Sequence, residues 1–489
     1  MIQGIVLSIL VLGAAFAAFA LALTGVGGLQ MARKARDGLM PYFYYPLFAA
    51  SAMLILFSGR TYDASGGALE SMGGNPLSEW SLRLTSVFAL LASADQIVRY
   101  FAARPKIEAT RAILVLTFLY FWVTNSVLPS FMGAHPMPMR LNWFYCLLVI
   151  PALILMSPRG AEISVKVFRN AVIGLISISF LLIPISSSLV LDRDYSQGYI
   201  AGLPRFTGLA AHAILMATFS TIAIWCLLVE PYQKKWVNRM AWLVCLSALV
   251  LTQSKTIWVS FFVATPVLLY YQRGLPRLRD FRTFKVLPVF VVLMAVSVGM
   301  VLAVYLLFGG GVERIAGFSN SSEGAQLLSM TGRDKIWAVA LEEWRKSPIF
   351  GYGLSLFSED FRKIINMPAA FHAHSQVIDS LSRSGIIGAS GTVFYLTALT
   401  WAGFRYARTS HGLSAALVVL LLSRSVSEIS LSALGIGVLE CVQYMLLTVI
   451  AASITKEKLS TSPASRNHRA RSSAFDERGR MSGSGAVGI

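Results

Sequence analysis

Two of the six histidines, His372 and His374, stand two residues apart in "FHAHSQVIDSLSRSG", where a polar segment turns into an apolar one. An imidazole changes charge near neutral pH, so His374 suits proton transfer. The same side chain serves equally well as a hydrogen-bonded structural group, and residue type alone does not separate the two readings. His372 offers a second catalytic group or a metal ligand. No cysteine or ordered acidic cluster accompanies the pair, so no metal site is expected. Upstream, Arg333 opens "RDKIWAVALEEWRKSP". A guanidinium beside the free amides of a first helical turn suits an anion such as a diphosphate, although it reads equally as an ordinary surface arginine. Arg205 in "LPRFTGLAAH", Lys255 in "TQSKT" and Arg314 in "GVERIAGF" are further positive charges, and His212 closes the first of these motifs. A lysine within an apolar region costs about 2.5–3.5 kcal/mol on insertion scales, which invites a functional role unless its stem snorkels to the interface. Asp95, Glu428 and Glu440 lie in or beside apolar runs and read as structural partners of buried basic groups.

The elements that position these residues follow from periodicity and punctuation. Thr331 and Asp334 have capping-box spacing, and Pro348 ends an amphipathic helix whose apolar face holds Ile336, Ala340 and Trp344, with Val339 beside them. In the second segment His374, Ile378 and Leu381 fall on one helical face, which puts His374 in the first turn, and Gly385 is a natural stop.

The rest of the chain is membrane-like. Of its 489 residues 55% are hydrophobic and 13% charged, with a mean hydropathy of +0.64. A soluble protein carries about twice that charged fraction. Apolar runs near the length needed to cross a hydrocarbon core of roughly 30 Å recur from end to end. They fall at 5–24, 41–58, 80–97, 111–131, 142–156, 171–191, 208–229, 240–254, 256–271, 286–308, 386–404, 412–427 and 433–454. The first has no basic leader region or cleavage site and reads as a retained helix. The four cysteines, Cys146, Cys226, Cys245 and Cys441, sit inside apolar runs and read as small buried hydrophobes.

A net charge of +18 would suggest nucleic acid on a soluble protein. Here the positive-inside rule accounts for it, and no nucleic-acid partner is expected. A single helix over 240–271 would be roughly 48 Å long and would put basic loops on opposite sides. Two helices broken at "TQSKT" instead place Arg33, Lys34, Lys234, Lys235, Arg239, Arg273, Arg277, Arg279, Arg282, Lys285, Arg405 and Arg408 on one side, the cytoplasmic one. The expectation is an all-α polytopic membrane protein of roughly thirteen (12–14) transmembrane helices, with one large loop at 309–385 on the far side containing short helices. Residues 1–199 form N-terminal membrane helices, 200–454 carry the loop and the chemistry, and 455–489 form a disordered basic tail on the cytoplasmic side. The absence of a strong internal repeat weakens a transporter reading.

These motifs resemble the O-antigen ligase and polysaccharide polymerase superfamily of bacterial envelopes. The resemblance rests on Gly332-Arg333 before a helix containing Trp337, on Pro348-x-x-Gly351-x-Gly353, and on His374 opening a helix that stops at Gly385 before the next span. "RFTGLAAH" and "QSKT" match two further motifs of the same face. Ile214 and Ser375 replace the asparagines of many relatives, and Lys255 replaces an arginine, keeping the charge but not the bidentate fork.

The resemblance implies a GT-C-like fold in the bacterial inner membrane and glycosyl transfer on its periplasmic face. The donor it implies is a glycan on undecaprenyl diphosphate. His374 would be the catalytic base or orienting group, and Arg205, Lys255 and Arg333 would hold the donor diphosphate. Arg314, His212 and His372 are additional candidates. No metal or other cofactor is implied. Polymerisation of exopolysaccharide or O-antigen repeat units is the leading expectation. Ligation to a lipid A-core acceptor, protein O-oligosaccharyl transfer, and a lipid-linked glycan flippase or transporter are the alternatives. Further expected partners are membrane lipids, a flippase and a chain-length regulator.

Overall fold

The computed structural model describes residues 38–58, 75–103, 107–193, 203–273, 333–368, 370–431 and 433–461. The expected spans at 5–24 and 286–308, Arg314, Thr331 and most of the tail lie outside the described residues.

The described chain is almost wholly helical. Helix α1 runs over Tyr44–Leu56, α2 over Pro76–Ala102, and α3 over Ala109–Trp122, which continues through a π turn at Val123–Val127 into Leu128–Met132. Helices α4 (Cys146–Ile154) and α5 (Pro158–Leu181) follow. A two-residue hairpin pairs β1 (Leu191–Asp192) with β2 (Arg205–Phe206) in antiparallel register, Asp192 opposite Arg205. Then come α6 (Ala213–Val229), α7 (Lys235–Leu251) and α8 (Lys255–Arg273). Beyond them are α9 (Arg333–Lys346), α10 (Glu359–Ile364), α11 (Gln376–Arg405), α12 (Leu413–Ser427) and α13 (Cys441–Thr461). Among the described residues α2, Ala109–Met132, α5 and α11 are long and apolar enough to cross a membrane, and five shorter apolar helices accompany them.

Several boundaries differ from hydropathy for local reasons. Helix α2 extends the weak span at 80–97, because Asn75 caps it by accepting from the Leu77 amide and Pro76 pre-sets its first turn. Ser157 and Pro158 do the same for α5, which therefore starts well before 171. Helix α6 begins at Ala213 rather than 208, and α13 at Cys441 rather than 433. The residues ahead of both are irregular.

The region 240–271 is two helices, as its polar break implies. Thr252 ends α7, Gln253 adopts a left-handed φ of 49°, and Lys255 opens α8.

Helix α6 is apolar all round and correspondingly buried. Its fully enclosed Trp225 donates to the Thr265 hydroxyl of α8 at 3.0 Å. Helices α5 and α7 pack beside it, α12 packs on α8 and α11, and α3 packs along α11. A second, small apolar cluster lies outside this bundle. It gathers Ala340, Leu356, Phe357, Phe361, Ala370 and Ala373, with Ile336, Val339 and Ile378 against them. Trp344 is absent from that face and donates instead to the Pro348 carbonyl at 3.1 Å. Asp95 pairs with Arg99 at 2.9 Å, the expected role for an acid inside an apolar helix.

Candidate active site

The segment 371–375 is irregular, and α11 starts only at Gln376. His374 therefore precedes the helix instead of occupying its first turn. It sits at a left-handed φ of 48°, a sparsely populated conformation for a non-glycine residue that surrounding contacts must enforce. Those contacts are specific. The Trp337 indole of α9 donates to the Ala373 carbonyl at 2.6 Å. The Ala373 amide donates to the Asp379 carboxylate at 3.1 Å, and the His374 amide donates to His372 Nδ1 at 3.0 Å.

A glycine turn fixes the other end of this segment. Tyr352 and Gly353 donate to the carbonyls of Ser382 and Arg383, and Ile386 donates to that of Pro348, all at 2.9 Å. Gly385 breaks α11 into two helices at a φ of 66°. A Cβ there would meet the Ile349 carbonyl oxygen at 2.2 Å. The sequence reading of Gly385 as a helix stop is thus correct, and the stop is a dock for the Pro348–Gly353 turn.

Glu428 organises the site. It follows the last residue of α12 in extended conformation. One carboxylate oxygen lies 3.4 Å from His374 Nδ1 and 3.7 Å from His372 Nε2, and the other lies 3.5 Å from Arg333 Nη2. The two imidazole rings are 4.1 Å apart. Gln376 ties the two chain segments together, its side-chain oxygen accepting from the Ser430 and Leu431 amides at 2.9 and 2.8 Å.

Burial would raise the Glu428 carboxyl. The contact with His374 and the charges of His374, His372 and His212 outweigh it and hold the group at about 2. Burial, then the charge of His374, pushes His372 down to about 4. At neutral pH Glu428 is accordingly an anion and His372 a neutral imidazole.

The basic residues upstream form a second group. Arg205 Nε donates to the Thr252 carbonyl at 2.9 Å, and Gln253 donates back to the Leu203 carbonyl at 3.0 Å. These bonds bind the hairpin to the break between α7 and α8, where Lys255 stands half-buried. His212 caps α6, its Nδ1 accepting from the Leu215 amide at 3.3 Å. Burial pushes it down to about 4, and Glu428, Arg424, Arg205 and His372 all act on it electrostatically. His212 thus lies within electrostatic reach of both Arg205 and Glu428.

The structure therefore joins His374, His372 and Arg333 on one carboxylate, and joins Arg205 to the helix break at Lys255. Sequence reading took Glu428 only as a structural counterion. Its one signal was an acid ending an apolar span, which is costly and commonly functional. The same three groups, His372, His374 and Glu428, offer ligand atoms within 4.8 Å of one another. Two imidazoles and a carboxylate are a competent donor set for a divalent cation, so the geometry corrects the sequence argument that the histidine pair lacks an acidic companion.

Chemically, a carboxylate 3.4 Å from His374 Nδ1, close but not hydrogen-bonded, favours a proton on that nitrogen and leaves Nε2 as the basic atom. No curated protein matches the chain. Residues 240–393 match the family model for the O-antigen ligase domain, a stretch that runs from α7 through the first half of α11 and contains Lys255, Arg333 and His374. Residues 240–393 are thus similar to the O-antigen ligase domain, and the long apolar helices around them suit an integral membrane protein.

Proposed function

We propose that this protein is a glycosyltransferase working on the periplasmic face of the bacterial inner membrane. It transfers a glycan from undecaprenyl diphosphate to an acceptor hydroxyl and so polymerises exopolysaccharide or O-antigen repeat units. The observation that carries the reading is the convergence of His374 and Arg333 on Glu428. It pairs an oriented base with a guanidinium, inside a segment that matches the O-antigen ligase family.

In this reading the acceptor oxygen attacks the anomeric carbon, and the bond from that carbon to the diphosphate oxygen breaks. His374 Nε2 takes the acceptor proton, and undecaprenyl diphosphate departs with the bonding pair. Charge grows on the leaving group, so fixed cations help most in the transition state. Lys255, Arg205 and Arg333 supply them. Arg333 exchanges its long contact with Glu428 for the diphosphate.

Transfer to lipid A-core uses the same donor and the same residues and differs only in acceptor. Proteoliposomes supplied with lipid-linked repeat units separate the readings. Polymerisation gives a ladder of lengths on a gel from that one substrate. A ligase gives product only when lipid A-core is added. A flippase moves the donor across the bilayer and leaves its glycan unchanged, which would refute the enzyme reading.

A further inference from the structure

Arg424 lies in the last turn of α12, one turn before Glu428, and is 1% exposed. Its Nε and Nη1 have no hydrogen-bond partner. Among the described residues no carboxylate comes within ion-pair distance of it. The other buried arginines are matched differently: Arg111 lies 3.2 Å from Glu108, while Arg169 and Arg362 donate to the carbonyls of Glu230 and Pro368. Glu428, the next acid along the chain, is committed to Arg333, His372 and His374.

A buried cation without a counterion is strongly destabilising, which makes it a receptor for an anion. Its position fits that role. Arg424 lies one helical turn from Glu428, and its charge, like those of Arg205, Glu428 and His372, reaches His212.

We infer that Arg424 is a further anion-binding residue of the donor site, whose buried guanidinium takes oxygens of the lipid-linked diphosphate. The inference rests on the donor proposed above. A guanidinium suits the task because its planar fork bonds two phosphate oxygens and is less strongly hydrated than an ammonium.

The test uses the full-length protein purified in detergent and compares the parent, Arg424→Met and Lys255→Ala. Two probes are titrated separately, undecaprenyl diphosphate and inorganic pyrophosphate, and thermal melting is recorded without either. Arg424→Met should bind undecaprenyl diphosphate about 10-fold or more weakly. Its ligand-free melting temperature should equal or exceed the parent's, because the variant loses an uncompensated charge. Parallel weakening toward pyrophosphate would support the diphosphate itself as the determinant.

Unchanged affinity for the lipid form with a lowered melting temperature would make Arg424 a structural cation and overturn the inference. So would an Arg424 dependence confined to pyrophosphate. If Lys255→Ala loses the lipid probe while Arg424→Met keeps it, only this inference falls. If the parent binds neither probe, the proposed donor falls with it.

Discussion

At the scale of single residues, the account turns on a carboxylate that holds an imidazole. Glu428→Gln keeps the size of the side chain and removes the charge facing His374 Nδ1 at 3.4 Å. Turnover should fall about 10²-fold or more, the range expected when general-base catalysis is compromised. Donor affinity should hold or rise, because Arg333 no longer has to leave a carboxylate for the diphosphate. A fall in donor affinity with turnover preserved would contradict this assignment. The pH dependence of folding carries a second signature. His372, held at about 4, takes up protons in the unfolded chain below its ordinary 6.5, so stability should start to decline as pH drops below that value. Glu428, at about 2 against an ordinary 4.5, contributes fully above pH 4.5 and loses its contribution as pH falls toward 2. Thermal melting against pH should therefore show His372→Gln easing the first decline and Glu428→Gln removing the second. Identical acid profiles for both variants and the parent would refute these environments.

At the scale of elements, the glycine turn and the Trp337 indole set where His374 stands. Gly385→Ala adds a Cβ in contact with the Ile349 carbonyl at a backbone conformation that only glycine adopts cheaply. Melting should drop by the equivalent of at least about 1–2 kcal/mol, with activity lost alongside. Trp337→Phe keeps the ring packing and deletes one hydrogen bond to Ala373. It should cost about 10-fold in turnover and little in stability. A variant with parental turnover would show that the indole does not position the histidine. Much at this scale was legible in the sequence: the break at "TQSKT", the stop at Gly385 and the apolar face Ile336–Val339–Ala340 are local signals of turn chemistry and helical period. Glu428 was not legible as the hub. Its partners lie 54, 56 and 95 residues away in sequence, and the packing of both α9 and α12 on α11 brings them together. Helix starts at Pro76 and Pro158 were also missed, because caps and prolines extend helices beyond the apolar window that hydropathy detects.

At the scale of the whole molecule, the proposed orientation puts 333–385 outside the cytoplasm and the basic turns inside. Exposed positions on the two sides report it directly. In a background with all four cysteines replaced, Lys363→Cys should react with an impermeant thiol reagent in intact spheroplasts, and Arg408→Cys only after permeabilisation. Equal labelling of both would refute the topology. The same orientation suits a base and a guanidinium sharing one carboxylate at the end of an apolar helix. In the proposed function the substrate is presented by a lipid, so its diphosphate would arrive near the ends of α8, α11 and α12 that carry these residues.

The most direct test of the central claim is release of undecaprenyl diphosphate by purified protein in proteoliposomes loaded with lipid-linked repeat units, compared for the parent, His374→Ala and His372→Ala, with and without EDTA. The account predicts rapid release by the parent in either condition, a loss of about 10²–10⁴-fold in His374→Ala, and a far smaller effect in His372→Ala. Parental release by His374→Ala would contradict the account, and abolition of parental release by EDTA would assign the His372, His374 and Glu428 cluster to a metal ion instead.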